Sequence, residues 1–267
     1  TAKGQALSEK RKKLVKEKKS SKTKAQTASS SPTPSQDQIN HLLGHYQAGR
    51  LKEAEALAAS LTQQFPKHPF GWKVLAAVFK QTGRLTESLA PMQKAAELSP
   101  KDADAHYNFG NTLKELRKLD ESEASYRQAI ALKPDYAEVH YNLGITLKEL
   151  GRLDEAEASY KQAITSKPDL AAAHSNLGNT LKELGRLDEA EASYRRAIAL
   201  RPNLAEAHHN LGITLKEVGK IDEAEASYRQ AISLKSDYAE AHYKLGMLLK
   251  KQHRYHEAIS HFDLANN

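Results

Sequence analysis

The chain has 267 residues, with 40 Lys+Arg against 33 Asp+Glu and a formal net charge of +7, and it has no cysteine. That composition excludes disulfides, thiolate metal sites, iron–sulfur clusters and a cysteine nucleophile. No apolar run approaches the roughly 20 residues that a membrane-spanning helix needs, and the polar start carries no secretory apolar segment, so a cytoplasmic location is expected.

Residues 1–34 come first. They hold Lys3, Lys10, Arg11, Lys12, Lys13, Lys16, Lys18, Lys19, Lys22 and Lys24 against Glu9 and Glu17, a local charge of +8 that leaves −1 for the rest of the chain. Ala6, Leu7, Leu14 and Val15 are too few to bury the surface that would offset the ordering entropy. The segment is therefore expected to be a disordered basic tail, running into the linker Ser29-Ser30-Ser31-Pro32-Thr33-Pro34. Such a tail suits weak contacts with anionic partners such as RNA, DNA or lipid headgroups, and Lys10–Lys13 resembles a nuclear-localisation run. The plainer reading is a solvated tail, because no aromatic residue is interleaved to stack on bases.

From residue 35 the chain repeats. Pro66, Pro100, Pro134, Pro168 and Pro202 are each 34 residues apart, and Gly110, Gly144, Gly178, Gly212 and Gly246 keep the same period. The frame gives an array at 35–267, with units at 35–68, 69–102, 103–136, 137–170, 171–204, 205–238 and an incomplete one at 239–267. Within 137–170, His140, Leu143, Gly144 and Leu147 share one helix face, and Ala156, Tyr160, Ala163 and Ile164 share another. Gly151 breaks the chain between them and Pro168 ends the second helix. Asp135 with Glu138 and Asp154 with Glu157 have capping-box spacing. Gly144 and Ala156 would let the two helices approach, while Tyr160 and Ala163 would carry packing to the next hairpin. One hairpin cannot bury both of its apolar faces, so neighbours must stack.

Trp72-x2-Leu75-Ala76-x2-Phe79, Ser88-x3-Met92, Pro100 resembles the tetratricopeptide repeat (TPR), as does His140-x2-Leu143-Gly144-x2-Leu147, Ala156-x3-Tyr160, Pro168. The resemblance covers 35–267 and implies an all-α fold, a right-handed α-solenoid (superhelix) of about seven helix–turn–helix units. The first unit departs from the pattern, with Leu42 at the glycine place and Ala58 at the aromatic place, as a terminal repeat would. His106, His140, His174, His208 and His242 hold the row that usually carries tryptophan. Ile259 and Phe262 would stand partly bare, so either the array continues past Asn267 or a partner covers its end.

The resemblance also implies a groove lined by first helices. Glu138, Asn142, Ile145 and Glu149 lie opposite the packing stripe, and stacking copies them into rows. The candidate peptide-binding residues are the amides Asn108, Asn142, Asn176 and Asn210, with a second row at Asn111 and Asn179. Beside them stand Tyr107, Tyr141 and Tyr243, the lysines Lys148 and Lys182, and the glutamates Glu149 and Glu183. Ser175 and His209 take the tyrosine place in two units, and Lys244 ends the first row. A primary amide offers two donors and an acceptor, so a ladder of them can hold a peptide backbone whatever its side chains.

The ladder and the run 176–183 are similar to the TPR superhelix of O-linked N-acetylglucosamine transferases. The layout also resembles bacterial proteins in which TPRs precede a glycosyltransferase or sulfotransferase domain. That implies a substrate-recognition region of a larger enzyme, as an alternative to a plain protein-interaction scaffold; nucleic-acid binding through the tail is a third reading. No catalytic constellation is found, and no cofactor or metal site is expected. The recurring histidines should sit on the order of 10 Å apart, too far to share a metal. The pairs His41/His45 and the group His253, His256 and His261 show no convincing ligand set.

Overall fold

The computed structural model describes residues 32–266. The described residues form fourteen α-helices and no strand: α1 Gln36–Gln47, α2 Leu51–Gln64, α3 Pro69–Gln81, α4 Leu85–Leu98, α5 Ala103–Glu115, α6 Leu119–Leu132, α7 Ala137–Glu149, α8 Leu153–Ser166, α9 Ala171–Glu183, α10 Leu187–Leu200, α11 Ala205–Glu217, α12 Ile221–Leu234, α13 Ala239–Lys251 and α14 Tyr255–Asn266. The basic segment up to residue 31 lies outside the described residues. Helices pair consecutively into antiparallel hairpins, the packing of an α-solenoid. Two compact units result, divided between Leu98 and Ser99.

The unit formed by α1–α4 stacks α2 on α3 and closes over Leu42, Ala54, Ala58, Leu61, Val74, Leu75 and Val78. The unit formed by α5–α14 has one continuous core, in which α6 meets α7, α8 meets α9, α10 meets α11 and α12 meets α13. The first helices of these hairpins also meet one another, α5 with α7, α7 with α9 and α9 with α11. They therefore form a single unbroken face.

Two residues set each hairpin. The backbone of Gly144 lies against the ring of Tyr160, and a Cβ there would fall 2.6 Å from its Cε1 and 2.8 Å from its Cδ1. The tyrosine thus packs on the glycine of its own hairpin, while its hydroxyl reaches Asn176 of the next one. Leu42 with Ala58, and Ala76 with Met92, occupy the same two places in α1–α4 and are buried. The departures there are volume exchanges: where the first helix gains bulk, the second loses it.

The turn is equally regular. Gly151 takes φ +77. Its N–H donates to Lys148 O at 2.9 Å, and the Arg152 N–H donates to Leu147 O at 2.9 Å. This is the Schellman pattern that closes a helix. Because Gly151 and Arg152 are spent on it, Arg152 is the residue flanking α8 and no side chain caps the helix. Asp154 sits within the first turn, where it complements the helix dipole. The expected Asp154/Glu157 capping box is therefore not formed. Nor is the one at Asp135/Glu138, since Tyr136 flanks α7 without a side-chain cap. A reciprocal box does form at Ser35 and Gln38, and Asp102 caps α5 through Asp104 N and Ala105 N.

Candidate functional site

The Trp/His row is structural. Trp72 Nε1–H donates to Pro66 O at 3.1 Å, and His140, His174 and His208 donate Nε2–H to Pro134 O, Pro168 O and Pro202 O at 2.8, 3.1 and 3.0 Å. Histidine replaces tryptophan because both place an N–H at the same point, where it ties the first helix to the preceding loop. His41 and His45 approach through Nε2 at 3.1 Å, but Arg50 Nε donates to His45 Nδ1. The His45 proton therefore sits on Nε2 and is given to His41, which uses the lone pair a metal would need. His253 bonds Tyr255, and His261 bonds His242, so the C-terminal histidines are not brought together on one ion. Among the described residues no group of three or more His, Asp or Glu is placed to hold a metal.

The candidate residues lie on the first-helix face of α5–α14. Tyr107, Asn111, Tyr141, Asn142, Lys148, Asn176, Asn179, Lys182 and Asn210 are half-buried, while Asn108, Glu149, Glu183 and Tyr243 are exposed. Each ladder asparagine is anchored through its main chain: the hydroxyls of Thr112, Thr146, Thr180 and Thr214 donate to the carbonyls of Asn108, Asn142, Asn176 and Asn210 at 3.1, 3.1, 3.0 and 2.9 Å. The side-chain amides differ from rung to rung. Asn142 Nδ2 donates to Tyr107 Oη at 2.9 Å and its Oδ1 accepts from Lys114 Nζ at 2.9 Å. Asn176 Nδ2 donates to Tyr141 Oη at 3.2 Å. Asn210 follows Ser175, which is too short to reach it, and donates instead to Asn179 Oδ1 at 3.0 Å.

Behind this face stand the buried tyrosines. Tyr126 donates to Asn111 Oδ1 at 2.7 Å and Tyr194 to Asn179 Oδ1 at 2.6 Å. Ile145 and Ile213 take the corresponding place in the alternate hairpins, and there the Tyr228 hydroxyl has no partner. Burial pushes the hydroxyls of Tyr126, Tyr160 and Tyr194 well up, so they remain protonated donors at neutral pH. His209 Nδ1 is also without a partner, and burial lowers that imidazole. The charged rows pair between hairpins: Arg117 with Glu149 at 2.7 Å and Lys148 with Glu183 at 2.8 Å. The sequence placed these residues in rows but missed that Tyr107 and Tyr141 each serve the asparagine 35 residues on. The offset is one period plus one, a signal present in the register.

This face is rich in amides, and charged residues along it pair between hairpins. Four profiles of the tetratricopeptide repeat match the chain, at residues 169–237, at 110–151 and 146–185, at 41–103 and 209–266, and at 92–124. No curated protein sequence matches it. Among solved structures the chain is similar to MamA, with 25% identity and a TM-score of 0.56 over 58% of this chain and 91% of that one. It is also similar to YrrB, described as a TPR protein with an unusual peptide-binding site, with 25% identity and a TM-score of 0.57 over 65% of this chain and 90% of that one. A tetratricopeptide repeat protein from Parabacteroides merdae shares the fold at 18% identity, with a TM-score of 0.65 over 86% of this chain and 91% of that one. Sequence profiles, hairpin packing and these likenesses agree that the chain is a tetratricopeptide-repeat protein.

Proposed function

We propose that the chain is a protein-interaction scaffold that holds an extended peptide segment along the first-helix face of α5–α14. The observation that carries this reading is the row of half-buried side-chain amides Asn142, Asn176 and Asn210, held at fixed height by the threonine bonds to their main chain. Evenly spaced amides suit the alternating N–H and C=O of an extended backbone. The likeness to YrrB supports it, since that protein is described by its peptide-binding site. The exposed Tyr243 offers an apolar surface at one end of the same face.

The test is direct. Peptides of about twelve residues span roughly four hairpins, at ~3.3 Å per residue and ~10 Å per hairpin. Binders are selected from a random library of that length on the intact chain, and their affinity is measured by fluorescence anisotropy. Replacing Asn142, Asn176 and Asn210 together by Ala should weaken binding at least roughly tenfold, about 1.4 kcal/mol, with helicity unchanged. An unaltered affinity, or a library that yields no binder, would sink the proposal.

A further inference from the structure

Each junction within α5–α14 is closed by a glutamate on the second helix. Glu123, Glu157, Glu191 and Glu225 accept from the Arg or Lys that precedes the next second helix, and their side chains are only 6–14% exposed. A basic residue four places on, Arg127, Lys161, Arg195 or Arg229, adds a bond from the same helix. On α14 both places change. Ile259 stands where the glutamate would be, and Asp263 where the basic residue would be. Ile259 is 56% exposed, and Tyr255, one turn before it on the same side, is 52% exposed. The partly buried Phe262 borders them. The α3–α4 hairpin also has an apolar residue at this place, Leu89, and that hairpin closes the first compact unit. An apolar residue at the glutamate place thus marks where a unit stops, not where the next hairpin of the series is received.

We propose that this side of α14 is a self-association surface, and that its occupant is α14 of a second copy of the chain, packed antiparallel about a two-fold axis at Ile259. Such a pairing lays Ile259 on its own copy and sets Tyr255 against Asp263, because each lies four residues from the centre. The two Asp263 carboxylates then stand eight residues apart along the helix, about 12 Å, which is beyond the screening length of roughly 8 Å at physiological salt. On α12 the same pairing would press Glu225 onto Glu225, so the change to isoleucine is what makes a two-fold contact possible. A head-to-tail contact finds no match on α1. Its exposed side carries Asp37, Asn40, His41, Gly44 and Gln47, and a Cβ on Gly44 would have nothing within 4 Å. Among the described residues the large exposed apolar side chains are absent from α1–α4 and concentrate in α13 and α14. The contact is therefore closed at two copies, and a patch this small suits a dimer in exchange with its monomer.

Sedimentation of the 267-residue chain tests this. The mass should rise with concentration from one copy towards two and stop there. Ile259→Glu should weaken association at least roughly tenfold with helicity and thermal midpoint unchanged, because the side chain it replaces faces solvent. The chain has no cysteine, so Ile259→Cys introduces its sole thiol. A disulfide needs Cβ atoms about 4 Å apart, a distance that a residue meets with its own copy only near a two-fold axis. Copper-catalysed oxidation should therefore link Ile259→Cys into a covalent dimer, and should not link Ser233→Cys on the exposed side of α12. A mass independent of concentration would overturn the proposal and leave α14 to a different protein or to none. Species growing past two copies, or a dimer that survives Ile259→Glu and leaves Ile259→Cys unlinked, would overturn it too. None of these readouts involves a peptide, so the peptide-holding reading stands or falls separately.

Discussion

Gly144 and Tyr160 form one packing feature divided between two helices. A methyl on Gly144 would collide with a ring that has no room to withdraw, Tyr160 being fully buried. Gly144→Ala should therefore destabilise the chain by roughly 1–3 kcal/mol, read from denaturant unfolding. Adding Tyr160→Met should recover part of that loss, because α3 and α4 already run the pair as Ala76 and Met92. If the double variant is no better than the single one, the volume-exchange account is wrong. The turn offers a second test. Arg117 and His253 occupy the place of Gly151 with φ of 62 and 60, and a non-glycine residue in that left-handed conformation costs about 1–2 kcal/mol. Arg117→Gly also gives up the Glu149 pair, an exposed bond contributing roughly 0.2–1 kcal/mol. A small net gain in thermal midpoint is expected; a drop would show that the ion pair outweighs the strain. The glycine and proline registers were legible from the sequence because steric demand restricts those places to few residue types. The packing of the tyrosine ring on the glycine of its own hairpin was not, since periodicity orders residues along one helix and not across the turn.

Between hairpins the bonding is polar as well as apolar. Glu157 accepts from Arg186 of the following hairpin at 2.6 Å and from Lys161 of its own helix at 2.6 Å, with its side chain 10% exposed. The same arrangement joins Glu123 to Arg152, Glu191 to Lys220, Glu225 to Arg254 and, in α1–α4, Glu55 to Arg84. Burial raises the Glu157 carboxyl, but the hydrogen bonds from Lys161 and Arg186 outweigh it and hold the group below its ordinary range. Glu157→Ala should cost roughly 1.5–3 kcal/mol, the loss of hydrogen bonds to a charged group. Glu189→Ala, on the exposed side of the same arginine, should cost much less, because solvent screens that pair. Equal losses in the two variants would refute the distinction. Helix identity and pairing were readable in the sequence, through apolar periodicity. The caps were misread because Asp-x-x-Glu spacing occurs both at a helix cap and one position inside the first turn, and only the Schellman closure separates the two. The glutamate ladder was hidden by its offset of 29 residues, which no single-helix pattern displays.

At the scale of the array, pH acts in two steps. Burial lowers His174, His209 and His261 below the ordinary histidine value, His261 being lowered further by His242. These groups bind fewer protons folded than unfolded, so their contribution is complete above the unfolded value of about 6.5. It fades as pH falls through the folded values. Glu155, Glu157, Glu189, Glu225 and Glu257 are held low mainly by arginine and lysine, Glu257 at about 2, and their share is lost only below about 4.5. Thermal midpoints measured from pH 7.5 to 3 should thus decline in two stages, and His209→Gln should flatten the first. A midpoint level down to pH 5 would contradict this. The amide rows of the candidate site could be read from the period alone, but their inequality could not. It arises from which hydroxyl, amide or ammonium reaches each asparagine, a competition settled only in three dimensions.

The offsets that join hairpins are all set by the same 34-residue period. Excising residues 137–170 would bring Glu123 opposite Arg186, Tyr107 opposite Asn176 and Arg117 opposite Glu183, each a pairing of the kind already present. Loss of that unit by recombination would therefore preserve these three kinds of pairing at the junction it creates. Copy number can drift as a heritable trait, and groove length with it, while the rules of assembly stay untouched.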